Sequence, residues 1–203
     1  MDPAAHLVKR RSIHSRVVGW AVVPIVFLAS PLVGENSFAG EALQWLGYLL
    51  IFLCGTGRLW CSLYVSGRKT SDLVTIGPYS VVRNPLYLFS FQGVVGVGLA
   101  STMLSFTALV AILFVGYYRF VVRGEERCLE AIHGESYADY RRRVPRWIPR
   151  LALWQDVPTL VIEPRRILRT CVESALICLI VPVMMELHGL RVHGCLPSIV
   201  TLP

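Results

Sequence analysis

Long apolar runs separated by short polar segments dominate the chain. A helix needs roughly 17–25 apolar residues to cross the hydrocarbon core of a bilayer, and five runs approach or reach that length. The predicted spans are residues 17–33, 42–65, 86–101, 103–122 and 171–187. The third and fourth are nearly contiguous and predict a tight helical hairpin. The pattern predicts an all-α, polytopic integral membrane protein with about five transmembrane helices in a single membrane domain, residues 1–203.

Basic residues collect on one side of these predicted spans. Clusters of Lys and Arg precede the first span, separate the second from the third and follow the fourth, and they hold 18 of the 20 basic residues. Cytoplasmic segments of membrane proteins accumulate such residues near span ends. We therefore expect the N-terminus and the segment 123–170 to lie on the cytosolic side, with that segment completing any site there.

Composition supports a membrane location and indicates which classes of partner to expect. Hydrophobic residues make up 54% of the chain and charged residues only 16%, while the formal net charge is +7. Attraction of the basic segments to anionic lipid headgroups accounts for that charge without nucleic acid, so membrane lipids are the expected partners. The six cysteines show no Cys-x-x-Cys spacing and predict free thiols, and no metal site is expected. The glycines at 93, 96 and 98 predict close helix packing.

The segment GPYSVVRNPLY, residues 77–87, is the most unusual polar stretch, and we call it the bracket. Gly77-Pro78 predicts a turn, and Pro85 predicts the first position of the third apolar helix, where the missing N–H is not needed. Tyr79 and Tyr87 suit a membrane–water boundary. Two interpretations stay open at this point: an aromatic belt with a helix start, or half of a binding pocket.

A long helix is predicted from about Met103 to Ile132, ending at Gly134, and it carries the sequence EERCLE. Four charged residues share one of its faces and are typical of a solvated ion-pair ladder: Arg119, Arg123, Glu126 and Glu130. Glu125 falls on a different face, better placed to bind a cation. The following segment, residues 135–150, carries two tyrosines, several arginines and a tryptophan, and either anchors the tail to headgroups or covers a pocket.

Taken in order, the bracket, the hairpin and the segment EERCLEAIHGESYADYRRRVPRWIP resemble the isoprenylcysteine carboxyl methyltransferase family and its phospholipid methyltransferase relatives. These are small helical membrane enzymes that use S-adenosylmethionine. The resemblance covers about residues 73–149. It implies a cofactor pocket on the cytosolic side that is lined by Leu73, Val74, Tyr79, Asn84, Pro85, Leu86, Tyr87 and Glu125. Arg123 and Glu126 are the residues we expect on the substrate side, where Glu126 is a conceivable base for an amine acceptor.

Two positions depart from the family pattern. Asn84 stands where larger members have histidine; it retains a donor and an acceptor but cannot titrate. Val121 stands where the carboxylate-methylating members have an arginine that meets the substrate, which argues against a prenylated peptide carboxylate. The sequence thus predicts an S-adenosylmethionine-dependent methyltransferase acting at the membrane interface on a lipidic or small apolar acceptor, with an isoprenylcysteine-type carboxylate kept among the candidates. An NADPH-dependent sterol or steroid reductase, which has a similar Arg-x-Pro-x-Tyr stretch, and a non-catalytic membrane protein are the alternatives.

Overall fold

Helices build almost all of the structure, a computed structural model that describes residues 29–31, 37–66, 72–193 and 200–202. The elements, in chain order, are β1 Ala29–Pro31, α1 Phe38–Val65, α2 Pro78–Val81, α3 Pro85–Ala100, α4 Leu104–His133, α5 Glu135–Arg143, a 3-10 helix Leu151–Leu153, α6 Pro164–Val192 and β2 Val200–Leu202. The two short strands pair in parallel. The first predicted span, 17–33, lies outside the described residues apart from β1.

Three of the described helices are long and apolar enough to cross a membrane: α1, α4 and residues 164–190 of α6. The 16-residue α3 is apolar but shorter. α4 continues without a break from the membrane to Gly134, which confirms the predicted end of the long helix. The all-α, polytopic membrane architecture is therefore confirmed.

The helix α6 begins before the predicted start of the last span. The apolar run begins at residue 171, but the helix begins at Pro164, so residues 164–170 of the segment assigned to the cytosol are already helical. Proline is favoured in a first helical turn because its missing N–H has no partner to lose there. The Arg166–Glu163 and Arg169–Glu173 ion pairs, at 2.7 and 3.2 Å, support this polar first turn. Hydropathy alone does not register such a turn.

Glycines bring α1 and α3 into backbone contact. The sequence predicted close helix packing at residues 93, 96 and 98 but named no partner helix. A methyl group on Gly96 would lie 2.8 Å from the Gly47 carbonyl oxygen, and one on Gly93 would lie 2.5 Å from Cys54 Sγ. Such small residues allow helix backbones to approach closely in membranes. Gly98 makes the same kind of contact with Thr107 across the predicted hairpin, whose connection is only the residues 101–103.

The apolar core joins α1, α3, α4 and α6. Its buried members are Tyr48, Ile51, Ala100, Met103, Phe106, Met184 and Leu187. A hydrogen bond of 3.0 Å between Gln44 Nε2 and His188 Nδ1 also links α1 to α6. Arg58, a charged residue within α1, donates to Ser90 Oγ of α3 at 2.6 Å. The five cysteines in the described part of the chain are free thiols, in agreement with the prediction for them.

Candidate active site

The bracket begins with a strained glycine and a short helix. Gly77 has φ +60° and ψ −135°, and a methyl group there would lie 2.2 Å from the ring of Tyr64. Only glycine tolerates both the left-handed φ and this contact. The next residues form α2, where the sequence predicted only a turn, and Ser80 Oγ donates to the Gly77 carbonyl at 2.6 Å. Pro85 is the first residue of α3, as predicted.

The segment after α5, residues 144–156, which we call the tail, runs antiparallel to the bracket and is fixed to it by backbone hydrogen bonds. Residues later in the bracket pair with residues earlier in the tail. The bonds are Gly77 N to Gln155 O at 2.7 Å, Arg150 N to Val81 O at 3.0 Å and Arg83 N to Pro145 O at 2.9 Å. Backbone pairing of this kind satisfies polar groups that would otherwise be buried without partners. The tail therefore covers the bracket.

A buried carboxylate joins the bracket, α4 and the tail. Glu126 on α4 is 7% exposed, and its Oε1 lies 3.2 Å from Arg83 Nη1 of the bracket. Arg146 of the tail donates from Nε to Glu126 Oε1 at 3.2 Å and from Nη2 to Oε2. The predicted solvated ladder is therefore wrong for Glu126, whose partners come from other segments. Both oxygens of Glu126 are engaged by cations.

Helical spacing explains why Glu126 is buried. The buried residues of α4 recur every four positions from Phe114 through Tyr118 and Val122 to Glu126, so the carboxylate continues the apolar line into the C-terminal part of the helix. The four-residue spacing can be read from the sequence, but which face of α4 packs against protein cannot. Arg123 is exposed, and the structure does not bring it to Glu126.

Aromatic rings form the wall next to this ion cluster. The Tyr87 and Tyr118 rings lie 4.9 Å apart, and Phe114 stacks on Tyr118 at 4.0 Å. Trp147 of the tail packs against the same cluster, as does Val121. Tyr87 is only 9% exposed and packs against protein, which argues against the interpretation of this residue as part of an aromatic belt. Its ring instead fixes the start of α3 against α4.

The two tyrosines of α5 are buried. Tyr137 is 1% exposed and Tyr140 is 3% exposed, and Leu73 packs against the cluster that they form with Val144. The Tyr140 hydroxyl donates to the Tyr79 carbonyl oxygen at 2.8 Å. The segment 135–150 was predicted either to anchor the tail to headgroups or to cover a pocket. These contacts favour the second interpretation, because side chains that anchor a protein to headgroups remain accessible.

Burial raises the pKa of both phenolic hydroxyls. Loss of solvent raises the pKa of Tyr137, and the nearby Glu126 carboxylate raises it further, while Arg83 opposes the shift. Burial also raises the pKa of Tyr140, with a further contribution from Tyr137. A charged phenolate is costly in a site that water does not reach. Both hydroxyls therefore stay protonated in the folded protein at pH values where free tyrosine ionises.

We expect the stability of the protein to fall at alkaline pH because of these two tyrosines. Above about pH 10 the unfolded chain loses phenolic protons that the folded chain still holds, so stability decreases as pH rises toward the folded-state pKa values. Below that pH the two phenols contribute no pH dependence. Thermal unfolding between pH 8 and 11 should show a smaller alkaline decrease for the Tyr137→Phe, Tyr140→Phe double variant. An unchanged decrease would contradict the assignment.

Most of the predicted cofactor residues lie in or next to the bracket, where it contacts α4, α5 and the tail. Asn84 is buried, and its Nδ2 donates to the Arg146 carbonyl oxygen at 3.4 Å. Glu125 is half-buried, one position from the ion cluster. The remaining predicted residues are half-buried or buried within the bracket or just before it: Leu73, Val74, Tyr79, Pro85, Leu86 and Tyr87. Arg83, Tyr137, Tyr140 and Arg146 were not predicted as site residues.

Comparison with known proteins decides the family. Residues 38–136 match the sequence model of the family described as phospholipid methyltransferase. Over this part of its length, the chain is related to this family of membrane methyltransferases. Over 87 residues, 42% of this chain and 37% of the relative, it is 31% identical to protein-S-isoprenylcysteine O-methyltransferase of Schizosaccharomyces pombe. The family resemblance predicted from the sequence is thereby confirmed. No solved structure matches the chain.

Two other relatives match this chain over nearly its whole length. It is 37% identical over 191 residues to the cobalt-zinc-cadmium resistance protein CzcN of Cupriavidus metallidurans, covering 92% of this chain and 88% of that protein. It is 34% identical over 192 residues to the nickel-cobalt-cadmium resistance protein NccN of Alcaligenes xylosoxydans xylosoxydans, covering 93% and 90%. Within the described residues of this chain, no three His, Cys, Asp or Glu side chains are grouped to hold a metal ion.

Proposed function

We propose that the protein is an S-adenosylmethionine-dependent methyltransferase whose site faces the cytosol at the membrane boundary. The observation that carries this proposal is the convergence of three segments on Glu126. Asn84 and Tyr87 are buried in the bracket, and Glu125 precedes Glu126 on α4. Family membership supports methyl transfer as the reaction. The distribution of basic residues supports the cytosolic orientation.

The chemistry of the residues present fits this cofactor. S-adenosylmethionine, when bound, supplies an electrophilic methyl group on a sulfonium, together with an amino group and a carboxylate. Glu125 offers a carboxylate to an amino group, Asn84 offers both a donor and an acceptor, and the tyrosine rings offer faces that attract a cation. The buried ion cluster and the tail exclude water from this contact, which favours alignment of the two reactants over hydrolysis.

The structure argues against Glu126 as a general base. Its two oxygens already interact with Arg83 and Arg146, so accepting a proton from an acceptor would require breaking ion pairs in a buried position. We therefore assign Glu126 to holding the site together. A nucleophile that needs no base, such as a thiolate or a carboxylate, is favoured over an ammonium as the acceptor group.

We propose a lipidic or small apolar acceptor that reaches the site from the bilayer. Val121 packs against the aromatic cluster and offers no charge to a carboxylate, so the acceptor is recognised mainly through apolar contacts. The names of CzcN and NccN suggest that this methylation serves resistance to divalent metal ions. In the source organism, a Glu125→Ala protein should fail to restore metal resistance to a strain that lacks the protein, whereas wild type should restore it.

Glu125→Ala and Tyr87→Ala are expected to weaken binding of S-adenosylmethionine at least tenfold, because each removes a group proposed to contact it. Isothermal titration calorimetry of the purified protein in detergent measures this affinity. Glu130→Ala is the matched control, since Glu130 is half-exposed on the same helix and pairs with Arg141. Wild-type affinity in both site variants would contradict the site, and binding of NADPH instead would support the reductase.

A further inference from the structure

Two tryptophans stack where the cytosolic end of α1 meets the tail. The Trp60 and Trp154 rings lie 5.6 Å apart at an interplanar angle of 21°, and they are 39% and 43% exposed. Tyr64 and Phe89 each meet Trp60 edge-on at 6.4 Å. The pair therefore presents a rigid aromatic surface that its neighbours hold in place but do not cover. We call Trp60, Tyr64, Trp154 and Asp156 the tryptophan patch.

The patch lies near the end of the predicted span 42–65. Trp60 is five residues before the end of α1 at Val65, which at about 1.5 Å per residue places it roughly 7–8 Å inside the helix end. Trp154 belongs to the tail, which follows the basic segment assigned to the cytosol. A lipid in the inner leaflet can thus bring its headgroup, rather than its acyl chains, to these rings.

Asp156 adds a negative charge to the patch. The Tyr64 hydroxyl donates to its carboxylate, at 3.1 Å from both oxygens, and the Val157 N–H donates to Oδ1 at 2.8 Å. The other acidic residues from 126 to 163 each pair with an arginine: Glu126, Glu130, Glu135, Asp139 and Glu163. In the described part of the chain, no cationic side chain pairs with Asp156. Its charge is therefore balanced by no residue seen in the structure.

We propose that the tryptophan patch binds the quaternary ammonium of a choline lipid headgroup. Aromatic faces attract such cations, and the nearby carboxylate supplies the opposite charge. A quaternary ammonium donates no hydrogen bond, which suits a carboxylate whose oxygens already accept bonds from Tyr64 and Val157. Its nitrogen has no lone pair, so this lipid is not a methyl acceptor. The inference is therefore independent of the proposed function.

The test compares three lipids with identical short chains and different headgroups. The purified full-length protein in a non-ionic detergent is titrated with dihexanoyl phosphatidylcholine, phosphatidylethanolamine or phosphatidylglycerol, and lipid retention is measured by native mass spectrometry. We expect phosphatidylcholine to bind about fivefold more tightly than phosphatidylglycerol, with phosphatidylethanolamine between them. Equal affinities, or a preference for either of the other lipids, would overturn the proposal.

Two variants locate the binding. Asp156→Asn keeps an acceptor for Tyr64 but removes the charge, and Trp154→Leu removes one ring; each should abolish the preference for phosphatidylcholine. Trp45→Leu is the matched control, because Trp45 is 65% exposed near the opposite end of α1, and it should keep the preference. Thermal unfolding of all variants checks that they fold. A preference that survives both patch variants, or is lost in the control, refutes this location.

Discussion

Replacing Glu126 with alanine is expected to destabilise the protein by about 3–5 kcal/mol, the largest effect of any single substitution considered for the site. The side chains of Glu126 and Arg83 are each 9% exposed, so removal of the carboxylate leaves a buried guanidinium without its counter-charge. Arg146 loses the same partner. Three segments of the chain would be released together, because the bracket, α4 and the tail share this one carboxylate.

Thermal unfolding in detergent, followed by circular dichroism, tests this expectation. For a chain of this size the midpoint should fall by about 10 °C. Glu130→Ala, four residues along α4, removes a carboxylate whose pair with Arg141 is half-exposed, and should cost no more than about 1 kcal/mol. If the two variants unfolded at similar temperatures, Glu126 would not hold the three segments together.

Gly47→Ala is expected to separate α1 from α3 and to cost about 1–3 kcal/mol or more. The added methyl group would lie 2.4 Å from Ala100 N and 2.6 Å from the Gly96 carbonyl oxygen. Both contacts are with backbone, which cannot move aside as the end of a flexible side chain can. Since α3 begins at the bracket, a shift of this helix should also reach the candidate active site.

Gly116→Ala on α4 is the matched control for this prediction. Apart from the backbone of α4 itself, no atom of the described residues lies within 4 Å of the position that its methyl group would take, and alanine favours a helix over glycine by up to about 1 kcal/mol. The control should therefore unfold at the wild-type temperature or slightly above it, while Gly47→Ala unfolds well below it. Equal unfolding midpoints for the two variants would show that α1 and α3 can separate without loss of stability.

Several local features of the fold could be predicted from the sequence. The apolar runs gave the helices of the membrane domain, Pro85 marked the first turn of α3, and Gly134 marked the end of α4. Close packing of α3 followed from the glycines at 93 and 96, although the structure was needed to show that α1 is the partner. Each of these depends on residues close together in the chain or on the intrinsic properties of one residue type. Such signals do not need the tertiary structure.

The beginning of α6 shows where this reasoning stops. Hydropathy located the apolar part of the helix at 171–187, whereas the polar turn from Pro164 belongs to the same helix and is supported by ion pairs with Glu163 and Glu173. A hydropathy pattern measures the length of the apolar run and not the length of the helix. The family motifs, by contrast, were recognised from their order along the chain and needed no contacts.

The sequence by itself determined the membrane-helix architecture, the tight hairpin and the family, since apolar length, residue type and motif order are properties of the chain. Only the tertiary structure decided which of two adjacent glutamates is buried. Helical geometry separates Glu125 from Glu126 by about a hundred degrees but does not say which direction faces protein. The tail and the bracket pack against α4 and put Arg83 and Arg146 on the side of Glu126. That packing makes Glu126, and not Glu125, the buried carboxylate paired with both arginines.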